Sequence, residues 1–225
     1  MITTVVFDMD DTLYDEIDYC RSGFKVSAEF LADQEPNISA EAAFNALWGQ
    51  FTSGNHTKTF NSALDELKIK YDSQLISKLI NIYRDHKPAI TLPQSSREVL
   101  EQLSGKYELA LLTDGFLPAQ QLKVQALGIE KYFKAIIYTE QLGREFWKPS
   151  PVGFEKLMKD LRANAENMAY VADNAKKDFI APNELGFLTI QLIRPNRVHF
   201  EKSDNPAVAA KHIIRDICQL EPILS

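Results

Sequence analysis

Apolar positions along this chain follow two different periods, and the change between them falls near residue 88. The first apolar run, Val5 to Phe7, is short and continuous and reads as a buried strand. From Asp15 to Lys87 the spacing is helical, with Ile17, Cys20, Phe24, Ser27 and Leu31 on one stripe. Ser39 is the expected N-cap of a helix over "AEAAFNALWGQF", and a third helix covers "TKTFNSALDEL". A fourth, "SQLISKLINIYRDH", starts behind Asp72 as N-cap and stops before Pro88.

From Pro93 onward, strands and helices alternate. Helix "SSREVLEQLSG" leads to strand "LALLT", and helix "PAQQLKVQAL", stopped by Gly128, leads to strand "KAIIYT". Helix "PVGFEKLMKDL" leads to "MAYVA", helix "KDFIAPNELG" to "LTIQLI", and a final helix is expected over "PAVAAKHIIRDI". Short apolar strands separated by helices predict a parallel sheet covered on both faces. The fold class is therefore α/β, a doubly wound, Rossmann-like parallel sheet with an all-helical cap inserted after the first strand. Residues 1–14 and 88–225 form the expected core and 15–87 the expected cap. Such an insertion leaves and re-enters at the carboxyl edge of the sheet, where ligands bind in open α/β folds, and is expected to act as a lid.

Composition narrows the function. The chain of 225 residues carries a net charge of −6 and no basic patch interleaved with aromatics, which argues against a nucleic-acid partner. No charged N-terminal segment precedes a long apolar run, so neither a signal peptide nor a membrane anchor is expected, and the cytoplasm is the expected location. Cys20 and Cys218 have no metal-ligand spacing and are expected as two free thiols.

The informative feature is acid at the strand ends. Five carboxylates occupy nine positions from Asp8 to Glu16. In a parallel sheet all carboxyl ends face one side, and that side collects Asp8, Asp10 and Thr12, then Thr113, Asp114 and Gly115, then Asp173, Asn174 and Asp178. Lys148 in "WKPSP" opens a helix between two of those strands. Hard oxygen ligands without His or Cys suit Mg²⁺, with Asp8 and Asp173 as the natural pair. A carboxylate can attack phosphorus to give an aspartyl-phosphate once the phosphoryl charge is neutralised. Lys148 and the metal can do that, while the Thr113 hydroxyl and nearby backbone N–H groups orient the oxygens. Asp10 is placed to protonate the leaving alcohol and then to activate water.

The segments "FDMDDTL", "LLTDG", "WKPSP" and "VADNAKKD" resemble, in order, the four motifs of the haloacid dehalogenase (HAD) superfamily. The resemblance implies Asp8 as nucleophile and Asp10 as general acid and base. It implies a Mg²⁺ ion held by Asp8, the backbone carbonyl of Asp10 and Asp173. Thr113, Asp114 and Lys148 would bind the phosphoryl group, with Asn174 and Asp178 behind the metal ligands. The helical insert resembles a C1-type cap. True dehalogenases of this superfamily lack a carboxyl at the Asp10 position, so the expectation is a phosphatase acting on a small metabolite, a sugar phosphate or nucleoside monophosphate. A phosphomutase is the alternative, and a catalytically idle metabolite-binding module the third reading. One departure stands out: Ala172 occupies a position where the family usually has Gly.

The remaining acids, Asp11, Asp15 and Glu16, are expected as bystanders, Asp11 as an outward-facing turn or N-cap residue. Tyr14, Arg21 and Phe24 are candidates to line the substrate pocket, Arg21 as partner of a second anionic group, with Phe116 and Trp147 as pocket walls. Trp48 and Phe51 are expected as cap packing. The stretch "SGNHTKT" from Ser53 to Thr59 reads either as a loop reaching the active site or as a helix–helix connection.

Overall fold

The structure, a computed structural model, describes residues 1–198, 200 and 208–225. These form two compact units, Met1–Ile17 with Thr91–Ser225, and Asp18–Ile90.

The first unit is built on six parallel strands: β1 (Thr4–Phe7), β2 (Glu108–Thr113), β3 (Ala135–Tyr138), β4 (Met168–Ala172), β5 (Leu188–Leu192) and β6 (His212–Ile214). Their order is β3-β2-β1-β4-β5-β6. All five pairings are parallel, with Val6 opposite Ala110 on one side and Tyr170 on the other. The strand order reverses at β1, so the crevice between β1 and β4 is the topological switch point of a doubly wound sheet. Every residue of β1 and β4 is buried, which is why both read as unbroken apolar runs. Val6, Leu112, Phe154, Leu157, Met168 and Phe187 are among the side chains that fill one face of the sheet.

The helical unit, inserted after the first strand, contains α1 (Glu16–Gln34), α2 (Ala40–Thr52), α3 (Thr59–Glu66) and α4 (Ser73–Asp85). Ser39 accepts from Ala42 N–H and Asp72 from Leu75 N–H, each side chain taking one of the orphan donors of its helix. An aromatic cluster packs this unit, with Phe24 5.4 Å from Phe51 and 5.0 Å from Tyr83, ring centre to ring centre. Trp48 lies 5.7 Å from Phe51 in the same cluster. The segment from Ser53 onward connects α2 to α3, and its His56 ring stacks on Phe51 at 4.8 Å.

The core helices are α5 (Gln94–Ser104), α6 (Ala119–Leu127), α7 (Val152–Leu161), α8 (Ile180–Leu185) and α9 (Glu221–Leu224). Gly128 ends α6 in the left-handed region, φ 62°, where a residue without Cβ pays least. The expected helix over "PAVAAKHIIRDI" is corrected: residues 206 and 207 lie outside the described residues, and His212–Ile214 form β6, paired with β5. The free edge of β5 supplied a ladder that outweighed the helical spacing of the alanines and isoleucines. Cys20 and Cys218 are both free thiols. Ala172 is buried in the core cluster and its φ is not positive, so its methyl costs the backbone nothing.

Candidate active site

Two strand ends and the loop after the second bring the acidic cluster together. Asp8 follows β1, its N–H still bonded to the Val171 carbonyl at 2.9 Å, so the ladder fixes the direction of its side chain. Asp173 follows β4 across the switch point, and Asp178 lies one turn further on. Carboxylate oxygens of Asp8, Asp173 and Asp178 come within 4.8 Å of one another, and all three residues are buried. Asn174 N–H donates to Asp178 Oδ2 at 2.9 Å, and the Asn174 side chain accepts from Lys176 N–H at 3.0 Å, which winds this loop into a tight turn.

Lys148 supplies the counter-charge. Its ammonium is 3.0 Å from Asp8 Oδ1 and 2.9 Å from Asp178 Oδ1, and it donates to the Tyr170 hydroxyl at 3.0 Å. Burial works against the charge on Lys148, but Asp178 and Asp8 outweigh it and hold the ammonium well above its usual range. Burial pushes Asp8 up to about 6 despite Lys148. Asp173 is pushed well above the usual carboxylate range by burial, then by Asp178 and Asp8. Asp173 Oδ2 is also buried without a hydrogen-bond partner. An orphaned carboxylate oxygen beside two more buried carboxylates fits a hard divalent cation, which would replace the missing partner and offset the repulsion. The donor set, all oxygen, agrees with Mg²⁺ chemistry.

The other predicted residues divide by what they face. Thr113 ends β2, fully buried, and its hydroxyl accepts from Gln120 Nε2 at 3.3 Å. The Asp114 carboxylate accepts from Thr139 Oγ1 at 2.8 Å, Lys148 N–H at 3.2 Å and Lys177 Nζ at 3.0 Å. Burial raises Asp114, but Lys148, Lys177 and Thr139 together hold it below its ordinary value. A carboxylate so engaged braces the loop. Phe116 and Trp147 pack edge to face at 5.4 Å, and the Arg144 guanidinium lies 4.4 Å from the Phe116 ring centre. Arg21, half-exposed on α1, pairs with Asp18 at 3.0 Å and covers Trp48 at 4.9 Å, the surface alternative to an anion partner.

Asp10 has partners of its own outside the triad. Its carboxylate takes Lys123 Nζ on both oxygens, at 2.8 and 2.9 Å, the Tyr14 hydroxyl at 2.5 Å and Gln120 Nε2 at 2.8 Å. Burial works to raise Asp10, yet Lys123 and these hydrogen bonds hold it below the usual range. Tyr14 is thus a buried partner of Asp10. Asp11 is corrected from outward-facing to buried: at φ 51° it folds back to accept from Glu16 N–H at 2.8 Å and Val198 N–H at 2.6 Å. Asp15 is held by Arg194 at 3.3 Å, and the same guanidinium donates to the Thr12 carbonyl and to Ser96.

Lys123, Gln120, Tyr170 and Lys177 were not singled out in the sequence. A signal existed for two of them: Gln120 and Lys123 share the buried face of α6 with Val124 and Leu127, polar residues where the helical period demands apolar ones. Tyr170 likewise puts a hydroxyl inside an otherwise apolar strand.

This arrangement defines a hydrolase of the HAD type. Residues 2–186 match the profile of haloacid dehalogenase-like hydrolases, and the chain belongs to that family of enzymes. It is 29% identical over 198 residues, 86% of each chain, to glyceraldehyde 3-phosphate phosphatase of Methanocaldococcus jannaschii. Its fold is similar to that of the HAD-hydrolase YfnB from Bacillus subtilis, solved bound to magnesium, with TM-score 0.70 and 20% identity over 100% of this chain and 99% of that one. It is similar also to 2-haloacid dehalogenase from Pseudomonas syringae pv. Tomato, with TM-score 0.68 and 22% identity over 100% and 98% of the two chains. At these identities the two structures speak to the fold. Among the described residues no helix is long and apolar enough to cross a membrane.

Proposed function

We propose that this enzyme is a Mg²⁺-dependent phosphatase that hydrolyses a small phosphorylated metabolite through a phosphoenzyme on Asp8. The observation that carries the reading is the pair of carboxylates two residues apart with different surroundings. Asp8 lies in the acidic triad against Lys148, whereas Asp10 faces proton-bearing partners on α6. A departing halide needs no proton, but the alkoxide of a phosphate ester does, so a second carboxyl beside the nucleophile has work in phosphoryl transfer and none in a dehalogenase.

Asp8, the Asp10 carbonyl and Asp173 would hold the ion, with Asp178 and Asn174 shaping the loop behind them, and the ion when bound supplies charge neutralisation on the phosphoryl oxygens. Lys148 neutralises further charge there, and the Thr113 hydroxyl with the backbone N–H of Asp114 orients the oxygens. An Asp8 oxygen attacks phosphorus and the bond to the substrate oxygen breaks. Asp10, ionised at rest beside Lys123, first takes up a proton from the entering phosphate monoanion or solvent and then gives it to that oxygen. In the second half Asp10 takes a proton from water, the water oxygen bonds to phosphorus, and the bond to Asp8 breaks, releasing inorganic phosphate. The relatives named as glyceraldehyde 3-phosphate phosphatases and the magnesium in the Bacillus protein support a sugar phosphate and that ion. Phe116 and Trp147 would wall the pocket.

Initial rates on 4-nitrophenyl phosphate, then on a panel of sugar phosphates and nucleoside monophosphates, test the reading. Turnover should need Mg²⁺, vanish in chelator and vanish in Asp8→Asn. Folded protein that turns over none of the panel with Mg²⁺ present would sink it.

A further inference from the structure

Helix α6 places two polar side chains where its period calls for apolar ones. Gln120 and Lys123 are both buried, three residues apart on the face that also carries Val124 and Leu127. Burying a lysine costs several kcal/mol of desolvation in general, and a well-packed apolar residue is often as stable in its place. Packing alone therefore does not account for Lys123.

Both side chains point at one target. Lys123 bonds both oxygens of Asp10, and Gln120 bonds Oδ2. Tyr14 donates to Oδ1. A carboxylate offers about four lone-pair directions, and here each is taken. Gln120 is itself fixed, because the same amide nitrogen donates to the Thr113 hydroxyl and to the Asp114 carbonyl. Gly115 makes room for it: a Cβ there would stand 2.8 Å from Gln120 Cδ and 2.9 Å from Cγ. Lys123 also faces Glu16 at 3.9 Å, so it bridges two acids of the opening segment.

We propose that Lys123 and Gln120 are positioning residues for Asp10, holding its carboxylate for the step in which it takes a proton from the water that hydrolyses the Asp8 phosphoenzyme. This rests on the phosphatase reading above. Water must displace one of these three donors, which together make four bonds, to reach Asp10. All of these bonds go to an ionised carboxylate, but only Lys123 brings a full opposite charge of its own and holds both oxygens. Lys123 therefore stays, Gln120 is tied to two further acceptors, and Tyr14 is the donor that yields. The water proton passes to Asp10, the water oxygen bonds to phosphorus, and the phosphorus–Asp8 bond breaks.

The test uses 4-nitrophenyl phosphate with Mg²⁺, because its leaving group departs without a proton and only the second step then needs Asp10. Lys123→Met should lower kcat by at least about tenfold, lower KM with it, and raise the fraction of acid-quenched protein carrying a phosphoryl group on Asp8. Lys123→Arg, which keeps the charge and can span both oxygens, should restore most of kcat. A purely structural lysine predicts lower kcat with no rise in phosphoenzyme, and that result, or an unaltered Lys123→Met, overturns the proposal. Should Lys123→Met fail to fold, Gln120→Leu is held to the same two outcomes. Wild-type protein that never becomes phosphorylated refutes the phosphatase reading and this proposal together. A phosphorylated wild type without accumulation in the variants refutes the proposal alone.

Discussion

The Lys148 ammonium lies 3.0 Å from Asp8 Oδ1, with about 1% of the lysine side chain exposed. An ion pair this dry is expensive to form and more expensive to break. Lys148→Met leaves Asp8 and Asp178 facing each other without that cation, and should cost about 3–5 kcal/mol in urea unfolding of the metal-free protein at neutral pH. It should also lower kcat by about 10²-fold or more, since charge stabilisation of the transferring group is lost. A variant of wild-type stability would show that the pair does not exist in solution.

The acidic triad gives the metal-free protein an unusual pH dependence. Asp8 is raised to about 6, first by burial, and Asp173 is raised well above the usual range for the same reason. Above the unfolded carboxylate range the folded state then binds more protons than the unfolded one, so stability falls as pH rises through this window. The shift at Asp8 alone corresponds to about 3 kcal/mol. Asp10 and Asp114, which are lowered, contribute stability that is lost only as pH falls below the usual carboxylate range. In chelator, Tm should rise from about pH 7.5 to about pH 5.5. The Tm gain from added Mg²⁺ should shrink over the same interval, because protons and cation compete for the same oxygens. A Tm that drops on acidification in chelator contradicts this account.

Asp10→Asn separates the two chemical steps by leaving group. In single turnovers with enzyme in excess, an alkyl phosphate should lose about 10²- to 10⁴-fold in the first step, as expected for removal of a general acid. 4-Nitrophenyl phosphate should lose far less in that step. Equal losses on both substrates would remove Asp10 from the role of acid.

Gly115 is constrained twice, by φ 143° and by the close approach of Gln120. Gly115→Ala should lower the urea midpoint by an amount equivalent to about 1–3 kcal/mol. It should also reduce kcat, because Gln120 must shift away from Asp10. An unchanged kcat would separate the glycine from the site.

Much of the fold was legible because the central strands are buried on both faces and the helices carry their caps in the sequence. Ser39, Asp72 and Gly128 mark their helix ends by local chemistry, and local chemistry is what a sequence displays. Residues whose partners lie far along the chain were harder. Asp11 looked like an exposed turn residue, yet its oxygen is taken by the Val198 N–H, 187 residues away. The segment at His212–Ile214 became a strand because β5 offered an edge. In the site, the sequence identified Asp8, Asp173, Asp178 and Lys148, which the structure gathers into one cluster. It did not reveal that Asp10 belongs with Lys123 and Gln120, since that grouping depends on how α6 is rotated against β1.

The account turns on Asp8 as the atom that bonds phosphorus. Protein turning over 4-nitrophenyl phosphate with Mg²⁺ can be quenched in acid, digested and weighed peptide by peptide. The account predicts a phosphoryl group on the peptide containing Asp8, on that residue, and none in Asp8→Asn. Steady turnover with no phosphorylated Asp8, together with turnover persisting in Asp8→Asn, would contradict it.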